Sequence, residues 1–532
     1  MSDLLSRRRI LRAAAALPFL PPLMRGALAA APGQSRGLPL GPAEAFSFET
    51  VIETARSLAA RPYQPPEIRH ERVLDSIDYD AHQSIRFRED MAIWGEGWGE
   101  GGGPYPVQLF HPGRYFKQPV QLFLVEDDVA REVHYLHDAF DFQDPEVEAR
   151  LPGDLGWAGM RFMNPPGEEG DWLVFLGASY FRSAGELNQY GQSARGLAVN
   201  TGMSYPEEFP SFSRFWLAPA PDDPTAVVIH ALLEGPSVAG AYRIRARKPG
   251  PVVMDVESRL FARDAIERLG VAPLTSMFWF GESNRHQATD WRPEVHDTDG
   301  LALWTGTGER IWRPLANPPG VTVTSYQDTD PRGFGLMQRD RNFDHYQDDG
   351  VFYDRRPSVW VEPKGNWGAG SVHLVEIPTD DEIFDNIVAF WVPAEPVTPG
   401  SAWSFDYRLH WAKDHPEPAA DLARTVATRI GRGGIPGQPR PPGQLKFAVD
   451  FAGGPLEALG KDQEKQVEVM VETSRGTLRN VYPLQVVGTS LWRAFFDLAA
   501  EGEAPVDLRL YLSKDGRPLT ETWLHHHVPF EF

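Results

Sequence analysis

Acidic, arginine, tryptophan and glycine residues are concentrated in residues 290–393 of this sequence. Two acidic clusters bound the stretch, Asp290-Trp291-Arg292-Pro293-Glu294-Val295-His296-Asp297 and Asp380-Asp381-Glu382-Ile383-Phe384-Asp385. Indole faces stack on sugar rings, carboxylates and guanidinium groups bind hydroxyls, and paired acids transfer protons. These residue types favour a carbohydrate cleft, and the candidate ligand contacts are Trp291, Arg292, Arg332 and Trp360. Composition alone also fits solvated turns between strands.

A second group of aromatic, arginine and hydroxyl residues lies upstream, in loops punctuated by glycine. Ala178-Ser179-Tyr180-Phe181-Arg182-Ser183 is followed by the polar residues 189–196. Tyr180 and Arg182 could therefore line the same sugar site. An ordinary sheet edge with a solvated loop explains this composition equally well.

Several other chemistries lack the residues that they require. The chain has no cysteine, which excludes disulfides, thiolate nucleophiles and cysteine-based zinc sites. It also has no P-loop, no His-Glu-x-x-His motif and no Gly-x-Ser-x-Gly elbow. Adjacent histidines in a strand point to opposite faces, so His525-His526-His527 does not predict a metal site. We expect no metal and no cofactor.

The net charge and the N-terminus restrict the partners and the compartment. A formal charge of −21 argues against nucleic acid and against an anionic membrane, since both need a basic surface. Ser6-Arg7-Arg8-Arg9 fits a twin-arginine signal, and an apolar stretch and Ala27-Leu28-Ala29 follow it. We therefore expect residues 1–30 to be removed on export to the periplasm.

The elements that must position these side chains are mostly strands. The chain contains 49 glycines and 48 prolines, scattered as turn signals between short runs of alternating apolar and polar residues. A short helix is predicted at residues 47–58, and a second helix at residues 259–269. The rest of the chain is predicted to be all-β.

The proline-rich residues 394–401 predict a linker between two domains. After them, apolar residues alternate at 403–409, 445–451, 467–471 and 506–512, which is typical of a small immunoglobulin-like sandwich. The sequence thus predicts a large domain at 31–393 and a small domain at 402–532.

Six sequence blocks in the same order resemble the periplasmic glucan biosynthesis proteins of the G and D types. The blocks are residues 274–282, Trp291-Arg292-Pro293-Glu294-Val295-His296-Asp297, Trp312-Arg313-Pro314-Leu315, residues 332–340, Trp360-Val361-Glu362-Pro363-Lys364-Gly365 and residues 385–391. The D type resembles this chain better, because the D type is the one exported with a twin-arginine signal.

This resemblance implies a fold, an activity and the residues of a site. The large domain would be a twisted, galactose-mutarotase-like β-sandwich with a long cleft. The family shapes the glucose backbone of osmoregulated periplasmic glucans, and its members resemble anomer-inverting β-1,2-glucanases. Carried over by motif, Asp385 matches the general acid and Asp297 the general base, and Glu382 and Tyr353 belong to the same site.

Two functions remain open at the level of sequence. The first is a glycoside hydrolase that cuts β-1,2-glucan, and the second is a non-catalytic glucan-binding scaffold that assists the membrane glucan synthase. A lectin needs no paired acid and base, which favours the enzyme. A homo-oligomer is compatible with the sequence, and neither the oligomeric state nor the product length can be deduced from it.

Overall fold

The computed structural model describes residues 37–95, 105–165, 168–435 and 437–530. The predicted signal peptide, residues 1–30, lies outside the described residues. In the described part of the chain, no helix combines the length and the apolar character needed to cross a membrane.

The all-β prediction is confirmed, and the largest sheet has sixteen strands. Fifteen of them follow one another in this order: Glu44–Ala45, Val129–Glu132, Gln121–Glu126, Ser211–Pro219, Ala226–Glu234, Val238–Arg247, Val252–Ala262, Ala402–Ala412, Ser358–Lys364, Gly333–Met337, Gly300–Trp304, Arg310–Pro314, Thr522–His527, Val506–Lys514, Glu468–Thr473. The sixteenth, Arg517–Pro518, pairs with Val506–Lys514.

A second sheet of ten strands packs against the first. Nine strands follow one another in the order Thr322–Thr329, Ala369–Glu376, Ile387–Pro393, Leu269–Ser276, Ser193–Arg195, Tyr180–Ser183, Asp171–Leu176, Gly159–Met163, Val107–Phe110, and Leu197–Val199 also pairs with Leu269–Ser276. Apolar side chains from both sheets form the main core, for example Phe175 and Leu274 from the ten-stranded sheet with Phe215 and Ile244 from the larger one.

The remaining elements are short. A four-stranded sheet has the order Arg424–Arg432, Gln444–Ala452, Trp492–Ala499, Thr477–Gln485, and two antiparallel two-stranded sheets pair Phe278–Phe280 with Val295–His296 and Ile85–Phe87 with Phe140–Phe142. In the described part of the chain, the α-helices are Phe48–Ala59, Glu71–Ser76, Tyr79–Gln83, Pro145–Glu148 and Phe343–Tyr346. The 3-10 helices are Glu89–Met91, His137–Ala139, Arg285–Gln287, Tyr353–Arg355, Gly454–Ala458 and Lys461–Gln466.

The first predicted helix is confirmed as Phe48–Ala59. Ser47 caps it, because the Ser47 side chain accepts a hydrogen bond from the backbone N–H of Thr50 at 3.2 Å. Val51 and Ala55, one turn apart, are its buried residues and pack under the large sheet with Phe46.

The second predicted helix, residues 259–269, is wrong. Residues 252–262 form a strand in which the even-numbered residues from Val252 to Leu260 are buried, and the next strand begins at Leu269. The local spacing of the apolar residues at 262, 265, 266 and 269 resembles one helix face. The period-two pattern prevails because Val252–Ala262 is hydrogen-bonded on both sides, to Val238–Arg247 and to Ala402–Ala412.

The strand after the predicted linker differs from its expected place. Ala402–Ala412 lies inside the large sheet, between Val252–Ala262 and Ser358–Lys364, and not in a separate small sandwich. Its alternating pattern suits any half-buried strand, so periodicity could not assign it to a sheet. The division of the chain into domains stays a prediction, and strand pairing moves its natural boundary beyond Ala412.

Beyond Ala412 the chain forms two facing layers around a second core. Three strands at the end of the large sheet and the four-stranded sheet contribute buried residues such as Phe447, Phe496 and Leu510. Trp312 and Trp360, from central strands of the large sheet, complete this core. Trp360 is therefore a core residue, 3% exposed, and cannot offer a ring face to a sugar as the sequence predicted.

Candidate functional site

Side chains of the strand Tyr180–Ser183, in the ten-stranded sheet, alternate between the main core and the opposite face, and that opposite face forms the floor of the candidate site. Phe181 points into the main core, so its neighbours Tyr180 and Arg182 point to the opposite face. Arg195 lies across from Tyr180 in register, and its guanidinium sits 4.8 Å from the centre of the Tyr180 ring. Glu207 and Thr275 hold the same guanidinium at 2.6 and 2.8 Å.

One asparagine ties together the loops that carry the two predicted catalytic acids. Asn386 accepts a hydrogen bond from Phe278 N at 2.8 Å and donates to the carbonyl oxygens of Phe278 and Ile377, both at 2.9 Å. Phe278 also pairs with His296, so the chain reaches Asp297 directly beside this junction. The sequence neighbours of Asn386 and His296, Asp385 and Asp297, are thereby brought to one place.

Each of the two acids is buried beside its own arginine. Asp385 is 3% exposed, and its Oδ2 lies 3.4 Å from an Nη atom of Arg182. Asp297 is 4% exposed and pairs with Arg356. Burial raises the pKa of Asp297, the negative charge of Asp385 raises it further, and Arg356 and Arg182 oppose the rise. The charge of Asp385 therefore bears on the ionisation of Asp297.

A hydrogen-bonded chain of polar residues extends from this pair. The Tyr353 hydroxyl donates to Glu382, and Arg292 binds both Glu382 oxygens at 2.8 and 3.1 Å. Arg292 also binds Asp348 at 2.8 Å and Asp290 at 2.8 and 3.0 Å. The Arg356 guanidinium lies 4.1 Å from the Tyr353 ring centre, which joins this chain to Asp297.

Sequence reasoning missed Arg356 and Asp348, and it included Arg195 only as part of the stretch 189–196. Arg356 is partly buried and is the ion-pair partner of a predicted catalytic residue, yet it stands in Asp354-Arg355-Arg356-Pro357, where nothing distinguishes it from its neighbour. The one sequence signal that could have indicated Arg356 is its position three residues after Tyr353. The short 3-10 helix Tyr353–Arg355 lies between them, and one turn of such a helix brings the side chains of Tyr353 and Arg356 to the same side.

The predicted ligand contacts fall into different places. Tyr180, Arg182, Arg292, Glu382 and Tyr353 lie together with the two acids, as described above. Trp291 is 71% exposed with its ring 6.0 Å from the Arg292 guanidinium, so an indole face is free at the rim. Arg332 is exposed and lies elsewhere, 5.4 Å from the Trp304 ring centre at the edge of another cavity.

One group of side chains has metal-ligand chemistry. Ligand atoms of Glu294, Asp340 and His345 lie within 4.8 Å of one another. Both ring nitrogens of His345 already have partners, Nδ1 with Asp340 at 2.5 Å and Nε2 with Asn342 at 3.1 Å. Glu294 is engaged with His296 at 3.1 Å. The group is thus internally satisfied.

His296 supplies a buried positive charge next to Asp297. Burial disfavours the charged imidazole, but the hydrogen bond and charge of Glu294, with the charges of Asp299 and Asp340, outweigh it and raise the pKa of His296 to about 9. The Gln338 side-chain oxygen accepts a hydrogen bond from Nδ1 at 3.0 Å. The imidazolium fixes the strand Val295–His296, which directly precedes Asp297.

Comparisons with known proteins agree with one another. The model of a family described as "Periplasmic glucan biosynthesis protein, MdoG" matches residues 46–527. Glucans biosynthesis protein D 2 of Ralstonia nicotianae is 49% identical over 506 residues, which are 92% of each chain. Glucans biosynthesis protein D of Xanthomonas campestris pv. campestris is 49% identical over 534 residues, 99% of this chain and 98% of the relative.

The alignment with a solved polysaccharide lyase covers 71% of this chain and 45% of the lyase chain, at 11% sequence identity. Its TM-score of 0.24 is too low to indicate a shared fold. The family model and the relatives cover almost the whole described chain, including both acids and the C-terminal strands. This chain therefore belongs to the periplasmic glucan biosynthesis protein family.

Proposed function

We propose that this protein is an anomer-inverting β-1,2-glucanase that acts on osmoregulated glucans in the periplasm. The observation that carries the proposal is the pair Asp297 and Asp385, two buried carboxylates from separate loops, each beside its own arginine. A polar sheet face with Tyr180 and Arg182 lies below the pair, and an exposed indole, Trp291, stands at the rim. These are the parts that sugar binding and acid–base chemistry need.

In an inverting reaction, one carboxylic acid protonates the leaving oxygen while a carboxylate activates water on the opposite ring face, at a separation of roughly 6.5 to 9.5 Å. We assign Asp385 as the acid and Asp297 as the base, following the family motif. A base must be ionised, and burial works against that at Asp297. Arg356 opposes the effect of burial, so its role is to keep the base charged.

Arg182 and Glu382 have separate tasks in this scheme. Arg182 holds the Asp385 carboxyl in place from the sheet floor, at 3.4 Å. Glu382, whose side chain is 33% exposed, offers a carboxylate to the sugar or to water, and the buried Tyr353 and Arg292 hold it in place. Export by the twin-arginine route through Arg7 and Arg8 is part of the same proposal, because the substrate is periplasmic.

The test is incubation of the purified protein with linear β-1,2-glucan, with chromatography of the products and NMR of the new anomer. Asp385→Asn and Asp297→Asn keep the shape of the side chains and remove the proton chemistry. Each should lower turnover by about 10² to 10⁴ while calorimetric affinity for glucan stays within a few-fold. Asp380→Asn, an exposed acid of the same loop, is the matched control and should keep parent turnover.

Two outcomes would contradict the proposal. If Asp385→Asn cleaves at the parent rate, Asp385 is not the acid. If the parent protein binds β-1,2-glucan without cleaving it, the second candidate function takes over, a scaffold that holds glucan for the membrane synthase. The pairing of every site carboxylate with an arginine is the observation that favours this alternative, since such pairs also suit a binding site.

A further inference from the structure

A cavity of about 380 Å³ lies outside the candidate site, near the edge of the large sheet that contains the strands Val129–Glu132, Gln121–Glu126 and Ser211–Pro219. Its walls come from residues 63–69, 118–121, 132–135, 154–157 and 213–214, with Glu234. It shares no residue with the cluster around Asp297 and Asp385. Its volume falls in the range of roughly 300 to 1,000 Å³ that small-molecule sites occupy.

A β-bulge shapes one wall of this cavity. Strand Ser211–Pro219 pairs with Ala226–Glu234, and the register shifts between Phe212 and Arg214, which leaves Ser213 as an extra residue. Consecutive residues of a regular strand face opposite sides. Here Ser213 and Arg214 both line the cavity, because the bulge turns the second side chain towards it.

The cavity has polar side chains that no other residue satisfies. Among the described residues, the Arg214 guanidinium and the amides of Gln64 and Gln118 have no hydrogen-bond or ion-pair partner. The carboxylates are engaged: Glu234 accepts from Ser213 at 2.5 Å, Glu132 from Gln121 at 3.2 Å, and Asp154 contacts His70 at 2.7 Å. The groups left free are therefore amide donors and acceptors with one guanidinium.

The wall also carries aromatic surface. Tyr63 and Tyr135 are half-buried at the cavity, beside the buried Trp157. His111 Nδ1 faces the Pro112 carbonyl oxygen at 2.6 Å, so Nε2 accepts the hydrogen bond from the Tyr135 hydroxyl at 3.1 Å. Tyr135 is thus fixed at its hydroxyl, and its ring forms a rigid wall.

We propose that this cavity is a second carbohydrate-binding site, which takes a short segment of a neutral glucose oligomer. Free amides, one guanidinium and aromatic walls bind hydroxyls and sugar faces. Four carboxylates against two arginines, Arg69 and Arg214, make the cavity unsuitable for an anion. The choice of a glucose oligomer as the ligand of this cavity rests on the proposed function. A glucanase that bound glucan at both sites would hold one glucan chain at two points.

The test measures binding stoichiometry in the full chain with Asp385→Asn, so that the probe is not consumed. The probe is the β-1,2-linked glucose trimer, and its binding is measured by calorimetry and by ligand-observed NMR. Two sites per chain are expected. Arg214→Ala combined with Gln118→Ala should remove one of them, with at least a tenfold loss of affinity, while cleavage of the trimer by the otherwise wild-type chain stays unchanged. Arg86→Ala, an exposed arginine away from the cavity, is the control.

Failure of this inference is distinguishable from failure of the proposed function. One site per chain, unaffected by the cavity variant, would overturn the second site even if the protein cleaves glucan. Two sites without any cleavage would leave the cavity site standing and remove the glucanase. An equal loss with Arg86→Ala would mean that general surface charge, and not the cavity, binds the trimer.

Discussion

At the scale of single residues, Arg356 decides how easily Asp297 ionises. Burial is the main cause that raises the pKa of Asp297, and Asp385 adds to it, so Arg356→Gln removes a cation that opposes this rise. If Asp297 is the base, the acidic limb of the kcat/KM profile for glucan cleavage should move to higher pH, and activity below neutral pH should fall most. Arg356→Lys keeps a cation and is the control.

The sign of this shift separates two roles for Asp297. A base is active when ionised, so a higher pKa removes activity at low pH and leaves the plateau at high pH. A general acid is active when protonated, so the same change would extend activity on the alkaline side. An alkaline extension in Arg356→Gln would reverse the assignment of the two acids.

Residue types and motifs predicted most residues of the candidate site from the sequence. The prediction failed where the residue type alone could not distinguish a ligand contact from a core residue. Asp297, Asp385 and Arg292 were recognisable because each stands in one of the six blocks, whereas Glu382 and Tyr353 followed from the resemblance to the family. Trp360 has the same chemistry as a sugar-stacking indole, but its strand neighbours bury it. Arg356 could not be recognised, because its partner Asp297 is 59 residues away in the chain and the contact exists only after folding.

At the scale of elements, Gly335 lets two strands approach around Trp360. Gly335 lies opposite Trp360 in the sheet, and a Cβ there would overlap the Val359 carbonyl oxygen and lie 3.0 Å from Trp360 Cα. Backbone atoms cannot yield as a flexible side chain can. Gly335→Ala should therefore lower the free energy of unfolding in urea by about 1 to 3 kcal/mol.

Gly320→Ala is the matched control, since no heavy atom lies within 4 Å of the Cβ that it adds. It should change stability by less than about 0.5 kcal/mol. Equal stability of the two variants would mean that the strands can separate at Gly335 without loss. In that case, close packing of the strands would not explain the glycines of the Arg332-Gly333-Phe334-Gly335 block.

Elements were predictable where a local pattern had one interpretation. The helix Phe48–Ala59 has a capping serine and two buried residues one turn apart, so its sequence agrees with its structure. Strand Ala402–Ala412 was found but assigned to the wrong sheet, because alternation specifies a strand and not its neighbours. Residues 259–269 were misjudged because pairing on two sides outweighed a short helical spacing.

At the scale of the whole molecule, the C-terminal layers are not an independent addition. The strand Thr522–His527 runs parallel to Arg310–Pro314 and extends the large sheet. Trp312, Met337 and Trp360 share one core with Phe447, Trp492 and Trp523. A buried ion pair, Arg339 with Glu521 at 2.6 Å, crosses the same boundary. We infer that the two parts stabilise each other.

Trp523→Ala tests this coupling, because Trp523 is fully buried at the shared core and its Nε1 donates to Thr428 at 2.9 Å. The change should cost about 3 to 5 kcal/mol, and one cooperative transition should shift as a whole. Urea unfolding followed by circular dichroism and by glucan binding at the Asp297–Asp385 site should give coincident curves, both displaced. Val487→Ala, 87% exposed in the C-terminal part, should leave them in place. The contrary outcome is two separate transitions in Trp523→Ala, with glucan binding lost only in the later transition and at the same urea concentration as in the parent protein. In that case the C-terminal layers fold independently, and the predicted division into two domains describes the protein better than a shared core.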